Sequence, residues 1–476
     1  MYSKWYKYVL FLVTILSVAN TNGSFQNAFA QEVVPSKGTS DSNLEDLKWQ
    51  LGVMEESAAR QQEQIQAIKE RLDVVAAEPA QVEKVYNKEE LEHAVEDYLS
   101  TEEARKKLGL GLPGVTAMYS PDEEKYSIVF RSSDDKYSLG IGGRMQFRYT
   151  FKDNDADYGY RDTNNIDVRR ARLSLGGNVY GKLLHYYIEL DGDSFDVGIR
   201  DFYVYWTPLE ELNAKMGYFK VPFNQQRMTT SAKLLLQDRA IASEAFDQDR
   251  DYGVDIYGKP FDGHLEYHAA VFQGAGEDPA EREDQVKALS KGKADDNLDN
   301  ELMYVLNLRY NPFGKYDTVD ETDVKYSEKF KMSIAGSVVF NAKRKDEKLE
   351  DADTIAGVAE LSMKYRGFSW HNEYFVMTED PESDGDSVNS DGFFTQAGYF
   401  VIPKKLEIAA RYSMLDPDND VKNDIGKEYT AGVNYYFRPG THRSKIQADF
   451  GHYVTEEGEE QDREENFVRA QYQIIF

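Results

Sequence analysis

From Tyr126 to the C-terminus polar and apolar side chains alternate residue by residue, and that period of two constrains the chain more than any other feature it carries. Arg144, Gln146, Arg148 and Thr150 share one face of a segment whose other face is Met145, Phe147, Tyr149 and Phe151. Arg170, Arg172, Ser174 and Asn178 likewise oppose Ala171, Leu173, Leu175 and Val179, and His185, Tyr187, Glu189 and Asp191 oppose Leu184, Tyr186, Ile188 and Leu190. In a soluble sandwich the apolar face would be a core of Val, Ile and Leu. Here it is rich in Tyr and Phe, in a chain with 33 tyrosines and 25 phenylalanines. A side chain with an apolar body and a wet tip suits the boundary between membrane and water. The pattern predicts a transmembrane β-barrel over 126–476.

The connections give the strand count. Tight joins at Gly181-Lys182, 208–211, 259–263, Arg366-Gly367, Pro403-Lys404 and 439–441 alternate with longer acidic stretches at 152–165, 222–250, 273–300, 341–353, 379–390, 416–426 and 455–464. Short turns on one side and long loops on the other divide the region into about sixteen antiparallel strands. One join, 311–328, is longer than this rule predicts. The final strand sets Val468, Ala470, Tyr472, Ile474 and Phe476 against Arg469, Gln471 and Gln473. A terminal aromatic in that register resembles the signal read by the barrel assembly machinery, which makes Phe476 the expected contact with that partner.

The N-terminal part is built differently. Lys4 and Lys7 precede an apolar run from Val9 to Ala19, and Ala28-Phe29-Ala30 offers a small-residue cleavage site, so 1–30 reads as a signal peptide. After a linker at 31–43, Leu44, Leu47, Leu51, Met54, Ala58, Gln61, Ile65, Ile68, Leu72 and Val75 recur at strict steps of three and four. A lone helix drifts off such a repeat, so the spacing predicts a coiled coil over 44–77, on the periplasmic side of the barrel. A single helix docked on the barrel is the other reading. Pro79 stops this helix, and 78–125 reads as a helical connector with its helix over 88–108.

Several stretches resemble the phosphate-selective porins O and P. They are Leu139-Gly140-Ile141-Gly142-Gly143-Arg144-Met145-Gln146, Arg169-Arg170-Ala171-Arg172-Leu173, Glu189-Leu190-Asp191, Gly217-Tyr218-Phe219-Lys220-Val221-Pro222-Phe223 and Asp249-Arg250-Asp251-Tyr252-Gly253. The resemblance covers the front half of the barrel, and from Glu301 onward only the barrel pattern and the terminal Phe match. It implies a trimeric, sixteen-stranded diffusion pore whose third long loop folds inward, with a path of arginines and lysines that conducts phosphate or polyphosphate.

A pore does no covalent chemistry; width and lining charge set its selectivity. Strand parity turns Arg144, Arg148, Arg170 and Arg172 to the lumen, where guanidinium forks would attract and pass anions. The competing reading is structural, with the same arginines bracing the wall against Glu189, Asp191 and Asp201. The stretch 222–250 is the candidate constriction loop and carries Arg227, Lys233, Arg239 and Arg250 among Asp238, Glu244, Asp247 and Asp249. Its net sign stays open at this point. The chain as a whole is acidic, 84 acidic against 56 basic side chains leaving −28, which counts against phosphate specificity and opposes nucleic-acid binding.

The chain has no cysteine, which excludes disulfides and thiolate metal sites. No H-E-x-x-H or G-x-S-x-G motif occurs, and His264 and His268 are spaced four apart on a strand-like segment, so no enzyme, cofactor or metal centre is expected. Acid-rich loops such as Asp153-Asn154-Asp155-Ala156-Asp157 and Asp416-Pro417-Asp418-Asn419-Asp420 lack the closing Glu of a calcium loop. The expectation is an outer-membrane channel of a Gram-negative bacterium, homotrimeric and set among lipid and lipopolysaccharide, for small hydrophilic solutes, phosphate-like anions among them. The rival is a structural barrel tethered to the cell envelope through its coiled coil.

Overall fold

The computed structural model describes residues 115–119, 125–154, 161–192, 197–274, 302–342, 352–381, 386–458 and 462–476. The segments read as signal peptide, linker, coiled coil and connector helix lie outside the described residues. The elements in chain order are β1 (Val115–Tyr119), β2 (Ile128–Ser132), β3 (Ser138–Asn154), β4 (Thr163–Val179), β5 (Leu184–Asp191), β6 (Gly198–Trp206), β7 (Asn213–Lys220), α1 (Gln225–Met228), α2 (Ile241–Ala245), β8 (Arg250–Gly258) and β9 (Leu265–Phe272). There follow β10 (Met303–Tyr310), β11 (Lys331–Asn341), β12 (Ala352–Tyr365), β13 (Phe368–Pro381), β14 (Val388–Ile402), β15 (Leu406–Asp416), β16 (Gly426–Tyr436), β17 (Ser444–Thr455) and β18 (Arg463–Ile475). Strand β1 falls inside the stretch read as helical connector, so the sheet begins before Tyr126.

Each strand from β3 to β18 pairs antiparallel with the next, and β18 pairs back onto β3. The result is a closed barrel of sixteen strands, which leaves no open edge in the wall. At the seam, Phe476 and Gly143 exchange backbone hydrogen bonds of 2.6 and 2.9 Å. A Cβ on Gly143 would stand 2.5 Å from the Phe476 ring, so any larger residue there would have to displace that ring. Below it, β2 takes over as partner of β3, from Ile128 opposite Ile141 to Arg131 opposite Ser138, and β1 pairs onto β2.

The predicted alternation is realised with the lumen as the polar side. Along β10, Met303, Val305, Asn307 and Arg309 are buried while Tyr304, Leu306, Leu308 and Tyr310 are exposed. The two tyrosines stand at the ends of the outward face, where aromatic girdles lie in membrane barrels. Two bulges break the parity. Between β3 and β4, Gln146 faces Arg170 but Phe147 faces Val168; between β5 and β6, Glu189 faces Asp201 but Leu190 faces Ile199. The extra residues are Arg169 and Arg200, and each bulge turns its arginine inward while keeping Val168 and Ile199 outside.

The wall is uneven in height. Strands β5 to β10 hold 8 or 9 residues. Strands β11 to β18 hold between 11 and 15.

Candidate functional site

The loop 221–249 between β7 and β8 folds into the lumen. Its Phe223, Ala242 and Phe246 pack with inward-facing Val305, Val358, Phe375 and Phe394, and the Phe246 ring stacks on Phe375 at 5.3 Å. This apolar patch inside an otherwise polar lumen holds the loop against one side of the barrel. Irregular backbone at that depth must find partners in the wall, and it does. Backbone N–H groups of Gln225, Gln226 and Ile241 donate to Glu360, Glu373 and Glu428 at 3.0, 2.7 and 3.0 Å. Wall donors reach its carbonyls: Arg411 bonds those of Asp238 and Arg239 at 2.9 and 3.1 Å, and Asn434 bonds that of Leu235 at 2.8 Å.

The long join between β10 and β11 also turns inward, which accounts for its length. Asp320, Glu321, Thr322, Asp323 and Val324 are buried. Lys364 of the wall donates to the carbonyls of Asp317 and Asp320, and His442 Nε2 lies 3.0 Å from Asp320 Oδ2. Burial disfavours the Asp320 carboxylate, but His442, Lys364 and Lys233 outweigh it and hold its pKa well below the usual range. This insertion and the loop together fill the lumen beside β10 to β17.

A cavity of about 400 Å³ lies between the loop and strands β3 to β8. Its lining includes Lys125, Arg144, Arg172, Lys215, Lys220, Lys233 and Arg250, against two carboxylates, Glu189 and Asp201. Tyr187, Tyr203 and Phe219 add aromatic surface, and Lys125 Nζ sits 4.5 Å from the centre of the Tyr187 ring.

The predicted pore-lining arginines are all in the lumen wall, but they divide into two kinds. Arg148 is paired with Asp238 at 2.7 Å, and Asp238 also takes Arg469 at 2.5 Å. Arg172 is paired with Glu189 at 3.2 Å and Asp191 at 2.7 Å. These two follow the bracing reading. Arg170 donates to Gln146 at 3.0 Å, and Arg144 donates through Nη1 to Thr230 of the inner loop at 2.8 Å. Neither is in an ion pair among the described residues. Arg144 is 7 % exposed, and its Nε and Nη2 are buried without a hydrogen-bond acceptor among the described residues.

The loop candidates also divide. Arg227 pairs with Asp247 at 2.6 Å and with Asp249, and Arg239 donates to the carbonyls of Gln226 and Thr229 at 3.1 and 3.0 Å. Both hold the loop's own shape. Arg250, the first residue of β8, lies 3.3 Å from Asp201, and it lines the cavity with Lys233. Sequence reasoning did not single out Lys220, whose Nζ bonds the carbonyls of Arg227, Met228 and Thr229, or Lys125, Lys215, Arg169 and Arg200. The arginines are displaced by bulges, Lys220 stands in a family-like stretch that assigns it no role, and Lys125 and Lys215 carry no distinguishing motif. Among the described residues, no group of His, Asp and Glu is arranged to hold a metal ion.

A closed antiparallel barrel with a lipid-type exterior and a polar lumen narrowed by an inward loop is the architecture of an outer-membrane diffusion channel. The chain belongs to the phosphate-selective porin O and P family, whose model matches residues 140–476. An uncharacterized protein of Aquifex aeolicus is 24% identical over 381 residues, covering 72% of this chain and 87% of that protein. The fold is similar to the outer-membrane channel DcaP of Acinetobacter baumannii, with a TM-score of 0.50 and 12% identity over 73% of this chain and 99% of that one. Pseudomonas putida OprB aligns with a TM-score of 0.49 and 8% identity over 72% of this chain and 95% of that one.

Proposed function

We propose that the pore is anion-selective and passes small phosphate-like solutes through the cavity beside β3 to β8. The observation that carries this reading is the lining of the cavity, where seven basic side chains, Arg144 among them, face two carboxylates. A desolvated guanidinium is costly unless an anion completes its hydrogen bonds, and the two-pronged fork fits phosphate or carboxylate oxygens. Arg170 and Arg169 continue the basic strip along β4, and Arg200 shares Asp191 with Arg172 of that strip.

Reversal potentials across a KCl gradient test the reading. The native channel is expected to favour chloride over potassium, with added phosphate lowering chloride conductance by competition. A preference for potassium overturns it.

We further propose a homotrimer. Strands of eight residues, at about 3.3 Å per residue and a tilt near 40°, rise only ~20 Å, short of the ~25 Å apolar band of an outer-membrane barrel. The low wall from β5 to β10 is therefore suited to cover by neighbouring subunits, and crosslinking in detergent tests it. Cleavage after Ala30, a coiled coil over 44–77 in the periplasm, recognition of Phe476 by the assembly machinery, and contact with lipopolysaccharide complete the proposed setting.

A further inference from the structure

We infer that Glu321, on the inward insertion between β10 and β11, is a positioning residue that sets the pore's selectivity by clamping the inner loop from the turn side of the barrel. Its backbone N–H donates to the carbonyl of Lys233 at 3.2 Å. Its Oε2 accepts the N–H of Leu235 at 2.7 Å, and its Oε1 accepts Gln226 Nε2 at 3.0 Å. One residue thus grips the loop on both sides of Leu234 and again at α1. Thr229 Oγ1 adds a bond to the carbonyl of Thr318 at 3.4 Å. The stretch held between these points supplies Met228, Thr230, Ala232 and Lys233 to the cavity lining, and Thr230 is the partner of Arg144.

Glu321 is 3 % exposed and has no cation within ion-pair distance among the described residues. A buried carboxylate held only by neutral donors costs stability compared with an apolar residue of the same shape. Its geometry instead fixes backbone register beside the cavity, where about 1 Å of drift in Lys233 or Thr230 changes the charge an ion meets.

The inference rests on the cavity being the conduction path, but not on the sign of its selectivity. Single channels of the full-length protein are compared in planar bilayers as native, Glu321→Gln, Glu321→Ala, Lys233→Ala and the Glu321→Ala/Lys233→Ala double variant, with folding checked by heat-modifiable gel mobility. Glu321→Ala is expected to change conductance by about twofold or more, the lower end of coupling between contacting residues. Glu321→Gln keeps an acceptor for Leu235 but sets one amide against another at Gln226, so it falls between. In the Lys233→Ala background, Glu321→Ala is expected to add no further shift in reversal potential. A purely structural brace would lower thermal stability and leave reversal potential untouched, which overturns the inference; so does a shift that adds in full to that of Lys233→Ala.

If Glu321→Ala yields no folded barrel, Thr230→Cys in the otherwise cysteine-free chain reports loop position by its rate of thiol modification. A changed rate in Glu321→Gln supports the clamp, and equal rates overturn it. A native pore that prefers potassium defeats the anion reading while leaving this coupling measurable.

Discussion

The two sides of the lumen use the same residue types for opposite ends. Beside β10 to β17, arginines and glutamates neutralise each other: Arg411 meets Glu428 at 2.5 Å with both side chains at 0 % exposure, and Arg309 pairs with Glu360. Arg411, Glu428 and Glu360 also bond the backbone of the inner loop, and Arg309 bonds the Gln225 side chain, so this side is a solid protein core built from polar parts. Beside β3 to β8 basic groups outnumber carboxylates, and the space next to them is open. Charge inside a barrel is therefore not in itself a pore signal. On the proposed reading, a cation belongs to the transport path where its acids run out and a cavity begins.

Substitutions on the two sides should fail in different ways. The largest effect is expected from Arg411→Ala, which strands Glu428 without its cation and leaves two loop carbonyls unbonded; a loss of about 3–5 kcal/mol is expected from denaturant titration of the refolded barrel. Phe246→Ala comes next. It removes a fully packed ring from the loop's apolar anchor, at about 3 kcal/mol, and should appear as a noisier, wider channel because the loss falls on docking of the loop rather than on the wall. Native-like current noise with an unchanged unfolding midpoint would show that the patch does not hold the loop. On the open side, Arg144→Ala should leave the unfolding midpoint unchanged or raised, since it deletes a guanidinium with orphaned nitrogens. It should weaken phosphate block about tenfold, in line with a charge-assisted bond of roughly 1.5–3 kcal/mol. An unfolding midpoint that collapses together with selectivity would place Arg144 among the braces.

The sequence made one of these sides far more legible than the other. Strand parity put Arg144, Arg148, Arg170 and Arg172 inside, because every residue of a closed wall faces either lipid or lumen. Parity fails at a bulge, and alternation alone gives no warning that Arg169 and Arg200 turn inward. The inner loop was visible as the stretch 222–250 from its length and its several apolar members. The second inward segment was not, since Asp320-Glu321-Thr322-Asp323 reads as a solvated acidic turn, and its burial depends on His442, Lys364 and the loop backbone, all distant in sequence. Net charge says little about the lumen for a similar reason. The −28 total is weighted by acidic stretches such as 416–426 and 455–464, while Asp238, Asp247 and Asp249 are consumed by pairing. Which acids pair and which face the open space is decided by tertiary contact.

The smallest predicted effect is also the sharpest test of the comparison, because it should run in the favourable direction. Glu189 lines the cavity, pairs with Arg172 at 3.2 Å and accepts Tyr187 Oη at 2.9 Å. Glu189→Gln keeps an acceptor for the tyrosine and removes one of two negative charges on the open side, while Asp191 still holds Arg172 at 2.7 Å. Removing a unit charge a few ångströms from a passing ion in a water-filled space is worth about 1 kcal/mol, so the chloride-to-potassium permeability ratio should rise up to about fivefold. The corresponding change on the filled side, Glu428→Gln, should lower stability and leave the ratio unchanged, because no conducting water meets that carboxylate. If Glu428→Gln shifts the ratio as much as Glu189→Gln does, ions run through both sides and the division of the lumen is wrong.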